Sequence, residues 1–251
     1  MDLPAGPDPV LRSFPVSSFQ KPGKGLSELF GHITPTYELI NHLLTFGLDY
    51  YWRHQAAKIA SRYQGSIWLD IGTGTGDMAR ALAKLSRHSP KILAIDFCWP
   101  MLSRLRKKNP EMAIFPILAQ AGQLPLKDNS VDLITLAFAT RNLFSSPENL
   151  LKCAKEFHRV LKPGGVYINL ETSQPPHSLL RRAFHFYVGT MVKPVGHLVS
   201  GNRAAYSYLS SSILRFVGAE ELKSLLLKAG FFRVEFFYLT GGLVAIHLAF
   251  K

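Results

Sequence analysis

Residues 67–77, read together with Asp96, limit what this chain can fold into more than any other stretch. The apolar run I-W-L-D-I contains Asp70 and opens into a loop carrying Gly72, Gly74 and Gly76, and a helical pattern begins near Asp77. A second apolar run, K-I-L-A-I-D at 91–96, closes on Asp96, 20 residues beyond Gly76. Strand, glycine turn, helix, strand and acid in that order read as the nucleoside-binding half of a doubly wound α/β fold. The glycines allow tight backbone angles and close approach of a ligand to bare amides. The helix N-terminus adds positive partial charge there. An acid ending the second strand suits a ribose diol, because a carboxylate accepts hydrogen bonds and a diol donates two.

The rest of the chain repeats the strand–helix alternation. Strand patterns fall at 66–71, 91–96, 112–118, 131–137 and 166–172, and helix patterns at 76–86, 98–108 and 147–161. The last helix should stop at L-K-P-G-G, 161–165. Such alternation gives a parallel sheet with right-handed crossovers. A helix at 219–229 ends before Gly230, and two β-rich runs, 232–239 and 242–250, flank Gly241-Gly242 as a hairpin. Residues 26–63 read as helices, with Leu39, Ile40, Leu43 and Leu44 near helical spacing. The expected organisation is a flexible tail over 1–25 and one domain over 26–251, with a substrate-side insertion at 175–217.

Composition excludes several classes. Two cysteines, Cys98 and Cys153, argue against a disulfide scaffold and are expected to be buried as small apolar residues. No window reaches 18 apolar residues, so no spanning helix is expected. The N-terminus lacks the basic and apolar regions of a secretory signal. Together these point to a cytoplasmic protein. The net charge of +12 admits an anionic partner, but no nucleic-acid module is visible and none is expected as a partner. The cluster Arg104, Arg106, Lys107 and Lys108 reads most simply as a solvated helix end. Histidine spacing offers no metal pair, so the expected chemistry is metal-free.

Loop spacing also bears on which nucleotide fits. A dinucleotide site prefers G-x-G-x-x-G, and its third glycine would fall at Asp77. A carboxylate there repels a pyrophosphate and attracts a ligand carrying ammonium and sulfonium groups. That favours S-adenosylmethionine over NAD. Residues 178–193 form an amphipathic pattern, with Leu180, Ala183, Phe184, Tyr187, Val188 and Met191 along one stripe and Arg181, Arg182 and His185 on the other side. Such a helix either meets a membrane interface or packs on the sheet. A third reading has it cover the site while one edge touches lipid, placing the protein peripherally at the inner face of the membrane.

Several separated blocks resemble the menaquinone/ubiquinone C-methyltransferase family, the demethylmenaquinone methyltransferases. They are Y-E-L-I-N-H-L-L-T-F-G-L-D-Y-Y-W at 37–52, L-D-I-G-T-G-T-G-D at 69–77, and L-P-L-K-D-N-S-V-D-L-I-T-L-A-F-A-T-R-N-L at 124–143. Two more are Y-S-Y-L-S-S-S-I at 206–213 and L-T-G-G-L-V-A-I-H at 239–247. The glycine loop is generic to methyltransferases, whereas the first and last blocks are narrower signals. The resemblance implies a class I methyltransferase Rossmann-like fold, a seven-stranded and mostly parallel sheet with a C-terminal antiparallel strand. It also implies methylation of a ring carbon of a lipophilic, polyprenylated quinol by S-adenosylmethionine. By matching position, Thr75, Asp96, Gln120 and Ala121 contact the cofactor, beside Asp70, Gly72, Gly74 and Gly76 of the loop, while Arg141 and Asn142 face the substrate. The chain departs from the family pattern at Glu38 for Asp, Gln120 for a common acid or amide, Gly122 for Glu, and Ala137 for Ser. A homodimer is compatible with the resemblance.

Carbon methylation needs a ring carbon made nucleophilic by loss of a hydroxyl proton. A phenol ionises near pH 10, so a site working at neutral pH must favour the anion by about 3 units, or about 4 kcal/mol. Arg141 suits the stabilising role, since a guanidinium stays charged and offers forked donors. For the same reason it is a poor base, which leaves a water, oriented by Asn142, or one of His32, His42, His54, His177 and His185 to take the proton. Two other readings of the chain are a methyltransferase acting on oxygen or nitrogen of another lipophilic molecule, and a non-catalytic scaffold for quinone assembly.

Overall fold

The computed structural model describes residues 24–108, 112–143 and 146–251. The stretch 1–25 lies outside them, apart from its last two residues. Three helices come first: α1 (Lys24–Ile33), α2 (Tyr37–Leu44) and α3 (Leu48–Ala60). The alternation then runs β1 (Ile67–Ile71), α4 (Asp77–Leu85), β2 (Lys91–Asp96), α5 (Trp99–Lys108), β3 (Ile114–Leu118) and β4 (Val131–Ala137). It continues through α6 (Thr140–Leu143), α7 (Pro147–Val160), β5 (Leu161–Thr172), α8 (Ser178–Ser200) and α9 (Arg203–Arg215). The chain ends with α10 (Ala219–Lys228), β6 (Arg233–Leu239) and β7 (Val244–Phe250).

The seven strands form one sheet in the order β3-β2-β1-β4-β5-β7-β6. All neighbours run parallel except β7, which is antiparallel to both β5 and β6. Parallel strands covered on both faces need apolar side chains on both faces, and Trp68, Leu69 and Ile71 of β1 are all buried. One face packs against α7 and α10 through Phe157, Leu222 and Leu226, the other against α3 and α4 through Ala56, Ala57 and Leu82. The expected hairpin is present, with β6 and β7 joined by a single 3₁₀ turn at Thr240–Gly242. Cys98 and Cys153 are buried and free. The basic cluster is only partly a solvated end: Arg106 and Lys107 are exposed, whereas Lys108 pairs with Glu38. No helix among the described residues is long and apolar enough to cross a membrane.

Two boundaries differ from expectation. The stop signal at 161–165 ends α7 as expected, with Leu161 as its C-cap, but the strand expected from 166 already begins at Leu161. That helix ends at Val160, with Leu161 already extended and paired with Val131. The glycines serve a register shift in the β4–β5 ladder. A Cβ on Gly165 would lie 2.9 Å from the Lys162 carbonyl and 3.0 Å from that of Asp132. The helix read over 178–193 continues to Ser200 through Pro194. Proline usually ends a helix, but here α9 folds back on α8 so closely that a Cβ on Gly196 would sit 2.0 Å from the Tyr206 ring. Packing of that kind outweighs one lost backbone bond. Gly201, in the left-handed region at φ 70°, ends α8, and the Asn202 side chain accepts from the Ala205 amide to start α9.

The N-terminal helices and the inserted pair share a third apolar cluster built on Ile33, Ile40, Val188, Val192, Ala205 and Tyr206. Of the apolar positions read along α2, only Ile40 is fully buried, while Leu39 and Leu43 face out. Strand order reverses between β1 and β4, and in open α/β sheets ligands bind at that point, beyond the strand C-termini.

Candidate active site

Asp96 ends β2 at the switch point. Its Oδ2 accepts from the Gly74 amide and its Oδ1 from the Cys98 amide, both at 2.8 Å. Burial pushes its carboxyl up to about 6, against the pull of those amides. A carboxylate has about four lone-pair sites, so beside these amides and that of Phe97 it can still accept from a ribose hydroxyl. It borders a cavity of about 400 Å³ that Gly72, Gly74, Gln120, Ala121 and Asn142 also line. Gly72 sits at φ 62°, and a Cβ there would lie 2.6 Å from the Ala139 Cβ. Only a glycine lets the loop come this close to the end of β4. The cradle fits an adenosyl ligand: a buried acid for the ribose, bare loop amides, and mixed polar and apolar walls for the base.

Asp70 takes a different place from the one expected. It is fully buried, accepts from Thr73 Oγ1 at 2.6 Å and Thr135 Oγ1 at 2.7 Å, and lines neither large cavity. It pins the loop from beneath, and burial pushes its carboxyl up to about 6. Gly76 likewise shapes the loop: at φ 90° it begins α4, and a Cβ there would meet Leu105 at 2.7 Å. Thr75 is buried and borders a narrow cleft with Gly72, Thr73, Gly74 and Ala137.

A second cavity, of about 340 Å³, adjoins the first across Phe138 and Tyr37, which line both. Its walls are mostly apolar and include Leu44, Leu180, Phe184, Tyr187 and Val188. The stripe read along α8 therefore faces inward. Met191 is the exception: it is exposed, and Val192 takes the inner position. Phe138 holds φ at 58°, a conformation uncommon for a bulky residue and concentrated at functional sites. Its ring packs 5.9 Å from Trp52, and the Arg53 guanidinium lies 5.0 Å from it.

Arg141 stands in α6, just beyond β4, and lines the apolar cavity. Its Nη1 donates to Glu171 Oε1 at 2.7 Å, and its backbone amide donates to Glu171 Oε2 at 3.2 Å. The arginine side chain is 8% exposed and the glutamate 1%, so the pair is buried. Arg141 Nε has no partner among the described residues. Asn142 turns to the cofactor-side cavity and accepts from the Tyr208 hydroxyl at 3.3 Å. The two residues thus stand on opposite sides of the dividing wall.

None of the five histidines weighed above lines either cavity. His42 donates through Nδ1 to Asp49 at 2.8 Å, and His185 Nε2 lies 2.7 Å from Gln174 Oε1. Asp49 does line the apolar cavity. Burial pushes its carboxyl up, but Arg53 and the bonds from His42 and Thr45 outweigh that and hold it below the usual carboxylate range. Sequence reasoning missed Glu171, Arg53, Asp49, Phe138 and Tyr208. Glu171 carried a signal, since it ends an apolar strand as Asp70 and Asp96 do.

Comparison with known proteins shows the family of the chain. The ubiE/COQ5 methyltransferase family matches residues 19–251. The ubiquinone/menaquinone biosynthesis C-methyltransferase UbiE of Rickettsia bellii is 34% identical over 233 residues, covering 90% of this chain and 92% of that one. The protein of the same name from Geotalea uraniireducens is also 34% identical, covering 91% and 97%. Among solved structures, an S-adenosylmethionine-dependent methyltransferase of Thermotoga maritima, a possible histamine N-methyltransferase, shares the fold. Its TM-score is 0.62 at 23% identity, over 90% of this chain and 99% of that one.

Proposed function

The chain belongs to the ubiE/COQ5 methyltransferase family, and from that premise we propose that it methylates a ring carbon of a polyprenylated quinol, with S-adenosylmethionine as cofactor. The substrate is demethylmenaquinol, the methoxy-polyprenyl-benzoquinol of ubiquinone synthesis, or both. The observation that carries the reading is a buried guanidinium, Arg141, in an apolar cavity that adjoins the Asp96 cavity across Phe138 and Tyr37, which line both.

S-Adenosylmethionine, when bound, supplies an electrophilic methyl group on a sulfonium. Asp96 accepts from the ribose, the 72–76 loop approaches the amino-acid end, and Gln120 and Ala121 border the base. Arg141 stabilises the quinol anion. Glu171 fixes its Nη1 edge. In a site lined by apolar side chains such a charge acts far more strongly than in water, which is the scale that about 4 kcal/mol of anion stabilisation needs. A water in the apolar cavity removes the proton, while Asn142, oriented by Tyr208, faces the cofactor cavity.

A cavity of about 340 Å³ is at the small end for drug-sized ligands. It holds a quinol ring and the start of a chain, while the remaining tail leaves through the mouth. Beside that mouth Phe46 is 81% exposed, with its ring 6.1 Å from Tyr187, and Phe186 on the outer side of α8 is 70% exposed. Arg181 and Arg182 are exposed on the same helix. These residues rest on an anionic lipid surface and take the tail directly from it. The test is methylation of a quinol analogue by purified protein, read by mass spectrometry with wild type and Arg141→Lys. Lysine keeps the charge but loses the planar fork, so cofactor binding should persist and turnover should fall to near zero. Full activity in Arg141→Lys would remove Arg141 from the mechanism.

A further inference from the structure

Arg53 on α3 lines two places at once: the apolar cavity, and the narrow cleft formed by Gly72, Thr73, Gly74, Thr75 and Ala137. The residue is 8% exposed. Only Nη1 is engaged, donating to Asp49 Oδ2 at 2.6 Å and to the Asp49 carbonyl at 3.3 Å. A guanidinium carries five N–H donors in a fixed fork, and the Nε and Nη2 donors have no partner among the described residues. Asp49 and the Phe138 ring, 5.0 Å away, hold the group in place.

The surroundings of that cleft are acidic. Asp77 borders it and pairs with Arg80, Glu38 lies near Thr75, and Asp70 and Asp96 flank the loop. An anionic ligand group would be repelled there unless a cation met it, and Arg53 is the cation with donors to spare. We propose that Arg53 binds the α-carboxylate of the cofactor's amino-acid end, with Asp49 as the positioning residue that fixes the guanidinium. Arg141 lines the apolar cavity but not the cleft and serves the substrate, so the two buried arginines divide the work: one holds a permanent carboxylate, the other a charge that appears during reaction. The inference rests on the cofactor placement given above.

Calorimetric titration of S-adenosylhomocysteine and its decarboxylated analogue tests it, because the two ligands differ only in the group assigned to Arg53. One charge-assisted hydrogen bond corresponds to about tenfold to a hundredfold in affinity. Wild type should prefer the intact ligand by about that factor. Arg53→Gln should abolish the preference by weakening only the intact ligand. Since Arg53→Gln leaves the buried Asp49 carboxylate stranded, the pair Arg53→Gln with Asp49→Asn removes both charges at similar volume and should give the same result. Asp96→Ala should weaken both ligands alike and keep the preference. Three results would overturn the assignment. One is equal affinity of wild type for both ligands, and another is equal loss of both in the Arg53 variants. The third is unchanged binding of both with an altered quinol KM, which would make Arg53 a substrate group. If wild type binds neither ligand, the cofactor placement fails and the inference with it.

Discussion

Removing Glu171 should unfold the protein more readily than removing the Arg141–Glu171 pair together. The carboxylate receives four hydrogen bonds: from Arg141 Nη1 at 2.7 Å, the Arg141 amide at 3.2 Å, and the Thr172 amide and hydroxyl at 2.8 and 3.0 Å. Both charges are out of water, at 8% and 1% exposure. Glu171→Ala leaves a buried guanidinium without its counter-charge, which costs about 3–5 kcal/mol. Glu171→Leu with Arg141→Met removes both charges at similar volume. What remains is the amide of residue 141 without an acceptor, about 1–3 kcal/mol, and the amide and hydroxyl of the partly exposed Thr172, which water can meet. The double variant should therefore be more stable than Glu171→Ala by about 2 kcal/mol.

Urea unfolding followed by circular dichroism reads the difference. With m near 3 kcal/mol/M, an upper value for small proteins, Glu171→Ala should lower the midpoint by about 1–1.7 M and the double variant by roughly half that or less. Both should lack methyl transfer, because neither presents an oriented guanidinium to the ring. The folded double variant should still bind S-adenosylhomocysteine, because neither residue lines the Asp96 cavity. A Glu171→Ala loss below about 1 kcal/mol would show the pair to be solvated in solution. A double variant no more stable than the single would refute the stranded-charge argument, and methyl transfer by the double variant would remove Arg141 from catalysis.

Three further outcomes follow from the same geometry. The ribose acceptor must be ionised, and burial raises the Asp96 carboxyl to about 6; cofactor affinity should therefore fall about tenfold per unit as pH drops below 6, and titrations across pH 5–7.5 should show Asp96→Asn as weak and flat. Gly72→Ala places a Cβ 2.6 Å from Ala139 at φ 62°, so cofactor binding should be lost while melting reports destabilisation of about 1–3 kcal/mol; wild-type affinity in this variant would show that the loop has room. Arg181→Glu with Arg182→Glu should pellet less with anionic vesicles than wild type, and the difference should shrink with salt; equal pelleting would exclude this face of α8 as the docking surface.

Much of the scaffold could be read from the chain because parallel strands must be apolar on both faces. The runs 91–96 and 131–137 coincide with β2 and β4 to the residue, since an acid or a loop ends each apolar run abruptly. Asp96 was legible for the same reason, as an acid at the end of a buried strand beside a glycine loop. That rule also named Asp70, which ends β1's apolar run but turns beneath the loop to Thr73 and Thr135. One residue of strand phase sends a carboxylate to the ligand side or the core side, and a pattern of apolar letters does not distinguish a cavity from a core. Applied evenly, the rule would also have found Glu171, the acid near the end of β5. Arg53 was out of reach: helical periodicity puts it on the inner face of α3, but its exposure to two cavities depends on how three N-terminal helices and the inserted pair share the cluster at Ile33, Ile40 and Val188. The same packing carries α8 past Pro194. Local letters fixed the sheet and its glycine loop, whereas the substrate side of the site is made by contacts between segments more than a hundred residues apart, such as Tyr187 Oη donating to the Leu44 carbonyl at 2.8 Å. Loosening that contact with Tyr187→Phe is expected to disturb the apolar cavity and leave the Asp96 cavity intact, because the two halves of the site are held by different parts of the chain.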